Sequence, residues 1–165
     1  MKTQIFLFMA MITLISCANN APNMVVIKAG DLEITKEDLF HHVNATYSSY
    51  PEIKSESLLK EKNPIYYSYI YLLLFPDKNE KVEQLKSDNI ELYHSYAVAK
   101  IKDSENSKEY LLKNNELLYH LSRCVSYRDN SSLEYLKSNN SIVYNYVMAI
   151  NETLMTNEYI DQLKP

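Results

Sequence analysis

Glycine is almost missing from this chain: Gly30 is the single one in 165 residues. Loops that cradle phosphates and elbows that present a nucleophile need several glycines, because the backbone must approach a ligand or adopt φ > 0. P-loop, dinucleotide-binding and hydrolase-elbow enzymes are therefore not expected. A β-sandwich would also want more turn glycines, whereas helical hairpins can turn on Asn, Asp and Ser. Tryptophan is absent and cysteine is limited to Cys17 and Cys124. There is no positive excess: the formal net charge is −4, so no basic footprint for nucleic acid is visible. Long apolar runs are missing too. The longest, Ile5 to Ile15, is broken only by Thr13. It would make a helix of about 16 Å, short of a hydrocarbon core of about 30 Å.

What is present begins with that run. Lys2, the short apolar stretch and Ser16 have the layout of a secretory signal. A general signal peptidase could use Ser16 and Ala18 as its small residues. Leu14-Ile15-Ser16-Cys17 instead resembles the lipobox of bacterial lipoproteins, placed at the end of the apolar run. The resemblance implies a leader over residues 1–16 and a lipid on Cys17, which becomes the new N-terminus. Residues 17–23 then form a polar tether, and residues 24–165 a single domain. The implied location is the bacterial cell envelope, with attachment to the membrane. In such lipoproteins a residue other than Asp after the cysteine, here Ala18, favours the outer membrane of a Gram-negative cell. Only Cys124 would be left in the exported chain, and one thiol makes no internal disulfide.

Residues 24–40 read as a strand (Val25-Val26-Ile27), a turn at Gly30-Asp31, and a well-specified helix start. Thr35 is a natural N-cap, Asp38 stands in the acidic place of a capping box, and Ile34 and Leu39 form a hydrophobic staple. Acidic residues in the first turn suit the helix dipole. This stretch resembles the opening of exported parvulin-type foldases and chaperones, the SurA and PrsA group. Isomerase activity is not implied, because the catalytic domain of that family needs glycine-rich segments absent here.

The remainder has a period near 26 residues. Tyr67, Tyr93, Tyr119 and Tyr144 recur at that spacing, and Leu-Lys-(Ser)-Asn-type endings follow each unit. The fold expectation is all-α: about five short helical hairpins, stacked like an α-solenoid after the strand-turn entry, since helices this short are marginal alone. Asn and Ser in the turns can close the helices, since Asn tolerates the αL conformation. Two columns read as core: Phe40, Tyr66, Leu92, Leu118, Val143 and Leu72, Val98, Cys124, Ala149. Cys124 therefore reads as an inert buried thiol.

A third column, His42, Ser68, His94, His120 and Asn145, reads as a polar, half-buried ridge. Neighbouring helices are about 8–10 Å apart, too far for successive histidines to share a metal easily. No metal, cofactor or catalytic set is expected; the carboxylates are scattered, and His94 and Ser95 are sequence neighbours that point apart on a helix. Tyr67, Tyr93, Tyr119 and Tyr144, with His94 and His120, are the candidate binding face, because tyrosine suits both packing and interfaces. The functional expectation is a non-catalytic, membrane-anchored lipoprotein that binds a protein or envelope partner. A chaperone-like factor and a toxin-immunity or inhibitor lipoprotein are the alternatives.

Overall fold

Thr35 closes the capping box that the sequence predicts. Its hydroxyl accepts from the Asp38 amide at 3.1 Å, and the Asp38 carboxylate accepts from the Thr35 amide at 2.9 Å. From that cap the computed structural model runs through ten helices among the described residues, which are 23–75, 79–102, 104–151 and 157–165. The leader, Cys17, nearly all of the tether and residues 76–78 lie outside them. Two strands, β1 (Val25–Ala29) and β2 (Leu32–Thr35), form an antiparallel hairpin turned by Gly30 at φ 57°. Strand β2 is not part of the sequence reading. The helices are α1 (Lys36–Tyr47), α2 (Ser55–Lys62), α3 (Pro64–Leu74), α4 (Asn79–Asp88), α5 (Ile90–Lys100), α6 (Glu105–Asn114), α7 (Glu116–Tyr127), α8 (Asn130–Asn139), α9 (Ser141–Asn151) and α10 (Asn157–Leu163).

Each odd-numbered helix pairs with the even-numbered one that follows it. The odd-numbered helices also pack on one another, α3 on α5, α5 on α7 and α7 on α9. An open solenoid would stop there. Instead α9 and α10 return to α1, so the five inner helices close into a ring with the even-numbered helices outside. The seam is specific. The Tyr47 hydroxyl donates to the Ile150 carbonyl at 2.5 Å, the Tyr50 hydroxyl to Asp161, and the Lys164 ammonium lies 3.7 Å from the centre of the Tyr50 ring. These contacts join residues more than 100 positions apart and bring the last helix pair back onto the first, a closure that the expected solenoid-like stacking does not include.

The core column is as the spacing predicts: Phe40, Tyr66, Leu92, Leu118 and Val143 are all fully buried. Burial of each such side chain contributes about 1.5–3 kcal/mol. The asparagines close helices as expected, but not in the αL conformation. Asn63, Asn89, Asn115 and Asn140 are non-helical, with φ between −139° and −157° and ψ between 68° and 101°. Their backbone amides also close the preceding helices, donating to the Leu59, Leu85, Leu111 and Leu136 carbonyls at 2.7–2.9 Å, so each asparagine ends one helix and starts the next. Their Oδ1 atoms accept from the amides of Tyr66, Leu92, Leu118 and Val143 at 3.0–3.3 Å. The left-handed positions fall elsewhere, on Ser48 and Arg128.

The other half of each amide has a second use. The Nδ2 groups donate to the backbone carbonyls of Glu33 (from Asn63, 3.1 Å), Ala29 (Asn89, 2.7 Å), Lys28 (Asn115, 2.6 Å) and Val26 (Asn140, 3.3 Å). All four carbonyls belong to the β-hairpin. The hairpin therefore plugs the end of the ring where the inner helices begin, with Val26, Ile27, Ala29 and Ile34 buried beneath it.

Asn89→Ala removes an N-cap, worth about 1 kcal/mol, and leaves the buried Ala29 carbonyl without its donor, a further 1–3 kcal/mol or so. Urea denaturation should show a loss of about 2–4 kcal/mol. Asn115→Ala should lose less, about 1–2 kcal/mol, because the bond to the Lys28 carbonyl is exposed.

Candidate interaction surface

The four tyrosines of the candidate face sit at the joints between helix pairs, each half-buried. Tyr67 donates to Glu56 of α2 at 2.9 Å and lies under Lys60, and Tyr93 lies under Lys86 of α4. Tyr119 lines a groove with Lys108 of α6, and Tyr144 meets Tyr159 of α10 edge-on. Their rings fill the spaces between inner helices and the outer layer rather than forming one continuous strip.

His94 and His120 lie beside them in a second repeated arrangement. The Nδ1 atom of His94 is 2.9 Å from Ser107 Oγ, and its ring stacks on Tyr110 with centroids 4.0 Å apart. His120 does the same with Ser132 (2.9 Å) and Tyr135 (3.9 Å). The third member is His41 with Ser55 at 3.0 Å, not His42. Helix α1 starts one residue earlier relative to its clasp than α5 and α7 do, so the column is displaced by one at its first position. Desolvation lowers the pKa of both His94 and His120, which keeps the rings neutral at pH 7.

These contacts assemble serine, histidine and glutamate in an order absent from the sequence reading. Glu37 Oε1 is 3.4 Å from His41 Nε2, and Glu116 Oε1 is 3.7 Å from His120 Nε2. A nucleophile must reach its substrate. Ser55, Ser107 and Ser132 are all buried in the joint between an inner helix and its outer partner, and Ser55 also accepts from Asn44 Nδ2 at 2.7 Å. Recurrence at three joints with one geometry makes this set a clasp that ties the first turn of each outer helix to the inner one. The i,i+4 glutamates steady the rings.

His42 turns inward instead. Its Nδ1 is 2.6 Å from the Tyr146 hydroxyl, which in turn receives the Tyr66 hydroxyl at 3.3 Å. Tyr146 then donates to a neutral His42. A second chain runs from the Tyr69 hydroxyl to Ser95 (2.6 Å), Ser122 (2.7 Å) and the Leu118 carbonyl (2.6 Å). The stacked rings of Tyr66 and Tyr69 bring the two chains together. Side chains from all five inner helices thus meet inside the ring, hydrogen-bonded to one another. Burial pushes the Tyr69 phenol up to about 12, the phenols of Tyr66 and Tyr146 well above their usual range, and the His42 imidazole down to about 4.

Cys124 is fully buried, and desolvation raises its thiol to about 12. The exposed surface is different at the end away from the plug. Phe75 and Ile101 directly follow α3 and α5, and Tyr127 is the last residue of α7, each at the same distance from its capping asparagine. They are 54%, 43% and 51% exposed. Beside them a groove of 380 Å³ lies between α5, α6 and α7, lined by Ile101, Lys102, Lys108, Tyr119, Arg123 and Tyr127. The Arg123 guanidinium covers the Tyr127 ring at 4.7 Å and pairs with Asp129 at 3.0 Å. Hydrogen bonds from Ser131, Ser132 and Arg123 hold the Asp129 carboxyl far below the usual carboxylate range. The sequence reading does not single out these rim residues; their common distance from the asparagines is the signal that would have found them.

Two measurements test this electrostatic picture. His42 has a folded pKa of about 4 against an unfolded value near 6.5. The unfolded state therefore binds more protons between those values, and stability falls as pH drops from 6.5 towards 4. The loss from this group should reach roughly 3 kcal/mol, and His42→Gln should flatten that part of the profile. In a Cys17→Ser background, a thiol reagent such as a disulfide chromophore should leave Cys124 unmodified in native buffer and label it fully in denaturant.

Among the described residues no helix is long and apolar enough to cross a membrane, and no group of three or more His, Cys, Asp or Glu side chains could hold a metal ion. No protein-family model matches the chain, and neither a curated protein nor a solved structure gives a match.

Proposed function

We propose that the protein is an exported bacterial lipoprotein, anchored to the membrane of the cell envelope through Cys17, whose five helical-hairpin repeats form a closed, non-catalytic docking body for a protein partner. The observation that carries this reading is the contrast between the two ends of the ring. The described chain enters at the plugged end, where the Lys36 amide donates to the Met24 carbonyl at 2.9 Å. The seven residues from Cys17 to Asn23 span at most about 25 Å, so a lipid on Cys17 keeps the plugged end near the bilayer. The opposite end points away from it and holds Leu74, Phe75, Ile101 and Tyr127 exposed. Inner helices of this length separate the two ends by about 16 Å.

The repeat reading is supported by the four asparagines with one role, by the three serine–histidine clasps and by the three equivalent rim residues. The partner is recognised by apolar contact on that rim, with Lys100, Lys102 and Arg128 beside it in a chain of net charge −4. That favours a protein segment combining acidic and apolar side chains. A chaperone-like role would use the same rim for many clients, and an immunity or inhibitor role would use it for one.

Cys17→Ser should release the protein from the membrane fraction and abolish palmitate incorporation; a variant that stays equally membrane-bound sinks the lipoprotein reading. A photo-crosslinking residue at Ile101 should give one discrete adduct in cells, and one at Leu112 on the outer layer should give none. A smear of many adducts at Ile101 would favour the chaperone-like reading instead.

A further inference from the structure

Lys36 is the first residue of α1, and only 4% of its surface reaches solvent. Among the described residues it makes no ion pair and its ammonium no hydrogen bond. The aliphatic stem is covered, while the unpaired ammonium keeps solvent access where Lys36 lines a groove. Its surroundings favour an anion beside it. It stands at the positive end of its own helix dipole, and it lines a groove shared with the first turn of α9, whose dipole also points its positive end there. The groove has a volume of 340 Å³ and is otherwise lined mainly by neutral polar side chains, Asn139, Ser141, Asn145 and Gln162 among them. Among the described residues no carboxylate lines it. The first-turn amides of Ser141 and Ile142 have no acceptor among the described residues, as expected where the Asn140 cap reaches only the Val143 amide. Burial alone shifts the Lys36 ammonium, downwards.

We infer that this groove is a binding site for an oxyanion, a phosphate or phosphate-bearing group, held by the Lys36 ammonium, the amides at the start of α9 and the surrounding amide and hydroxyl side chains. Helix N-termini bind such groups because amide donors and dipole act together. A lysine adds the point charge. Met24 lines the same groove, so the site lies where the tether joins the body. A phospholipid headgroup and a soluble phosphorylated molecule share the required chemistry. The inference does not depend on lipidation of Cys17.

The test uses the full chain carrying Cys17→Ser, with and without Lys36→Met, which keeps the aliphatic stem and removes the charge. Inorganic phosphate in chloride buffer should raise the Tm of the Lys36 protein saturably, by roughly 3–5 °C. It should raise that of Lys36→Met only by the unsaturable drift of an excluded salt. Flotation with phosphatidylglycerol vesicles, compared with phosphatidylcholine vesicles, distinguishes the sources. Lys36-dependent binding to the anionic vesicles assigns a lipid headgroup, and a response to phosphate alone assigns a soluble ligand. Equal responses of the two proteins to phosphate and to vesicles, or no response of either, would overturn the site. Matching far-ultraviolet spectra of the two proteins establish that both are folded. Continued palmitate labelling at Cys17 in the Lys36→Met single variant separates this result from the anchoring reading.

Discussion

The structure depends on what one carboxamide can do twice. At the start of four inner helices, the Asn oxygen caps the helix and the Asn nitrogen holds a carbonyl of the β-hairpin. Neither a serine nor an aspartate could do both: a carboxylate has no donor, and a hydroxyl is too short to bridge helix and strand. The hairpin alone is two strands of five and four residues, too small to be stable in water. The helices alone are about three turns long and marginal. Each amide couples one marginal element to the other, and a ring with five parallel helix starts at one end offers the hairpin a nearly complete set of donors.

The fifth start shows the same logic with different chemistry. There the chain leaves the hairpin directly into α1, so Thr35 is both the last residue of β2 and the cap. Asp38 receives the Thr35 amide and hydroxyl together with Asn63 Nδ2 at 3.0 Å. A buried carboxylate is tolerated because three donors surround it. The hairpin and the helical body are thereby joined covalently at one point and by amides at four others.

Much of this was legible in the sequence, and the failures have physical causes. The core column at Phe40, Tyr66, Leu92, Leu118 and Val143 was readable because large buried residues tolerate little change of position. The capping box at Thr35 was readable because it is local. The asparagines do end the preceding helices, as read, but their second role as N-caps was not legible, because it depends on where the next helix and the hairpin carbonyls lie. His42 was placed in the ridge because a uniform spacing was carried into α1, whose cap is tied to the hairpin and shifts its register. Ring closure was not legible at all: Tyr47 with Ile150 and His42 with Tyr146 are separated by more than 100 residues, and no local pattern encodes them.

Closure also changes what the interior can hold. In an open stack each inner face meets solvent or a ligand, and polar side chains there are available for binding. In the ring, Tyr66, Tyr69, Ser95, Ser122, Tyr146 and His42 face one another and are sealed from water, so their polar groups must be satisfied internally. They are, in two donor-to-acceptor chains that end on an imidazole nitrogen and a backbone carbonyl. Such a network rewards one arrangement of the five helices, because a displaced helix would strand a buried hydroxyl at a cost of about 1–3 kcal/mol. The interior thus specifies the closed form, and recognition is left to the outside and the two ends. Those ends differ in kind: an unpaired ammonium in a groove of neutral polar groups at the plugged end, and exposed aromatic and aliphatic side chains at the other.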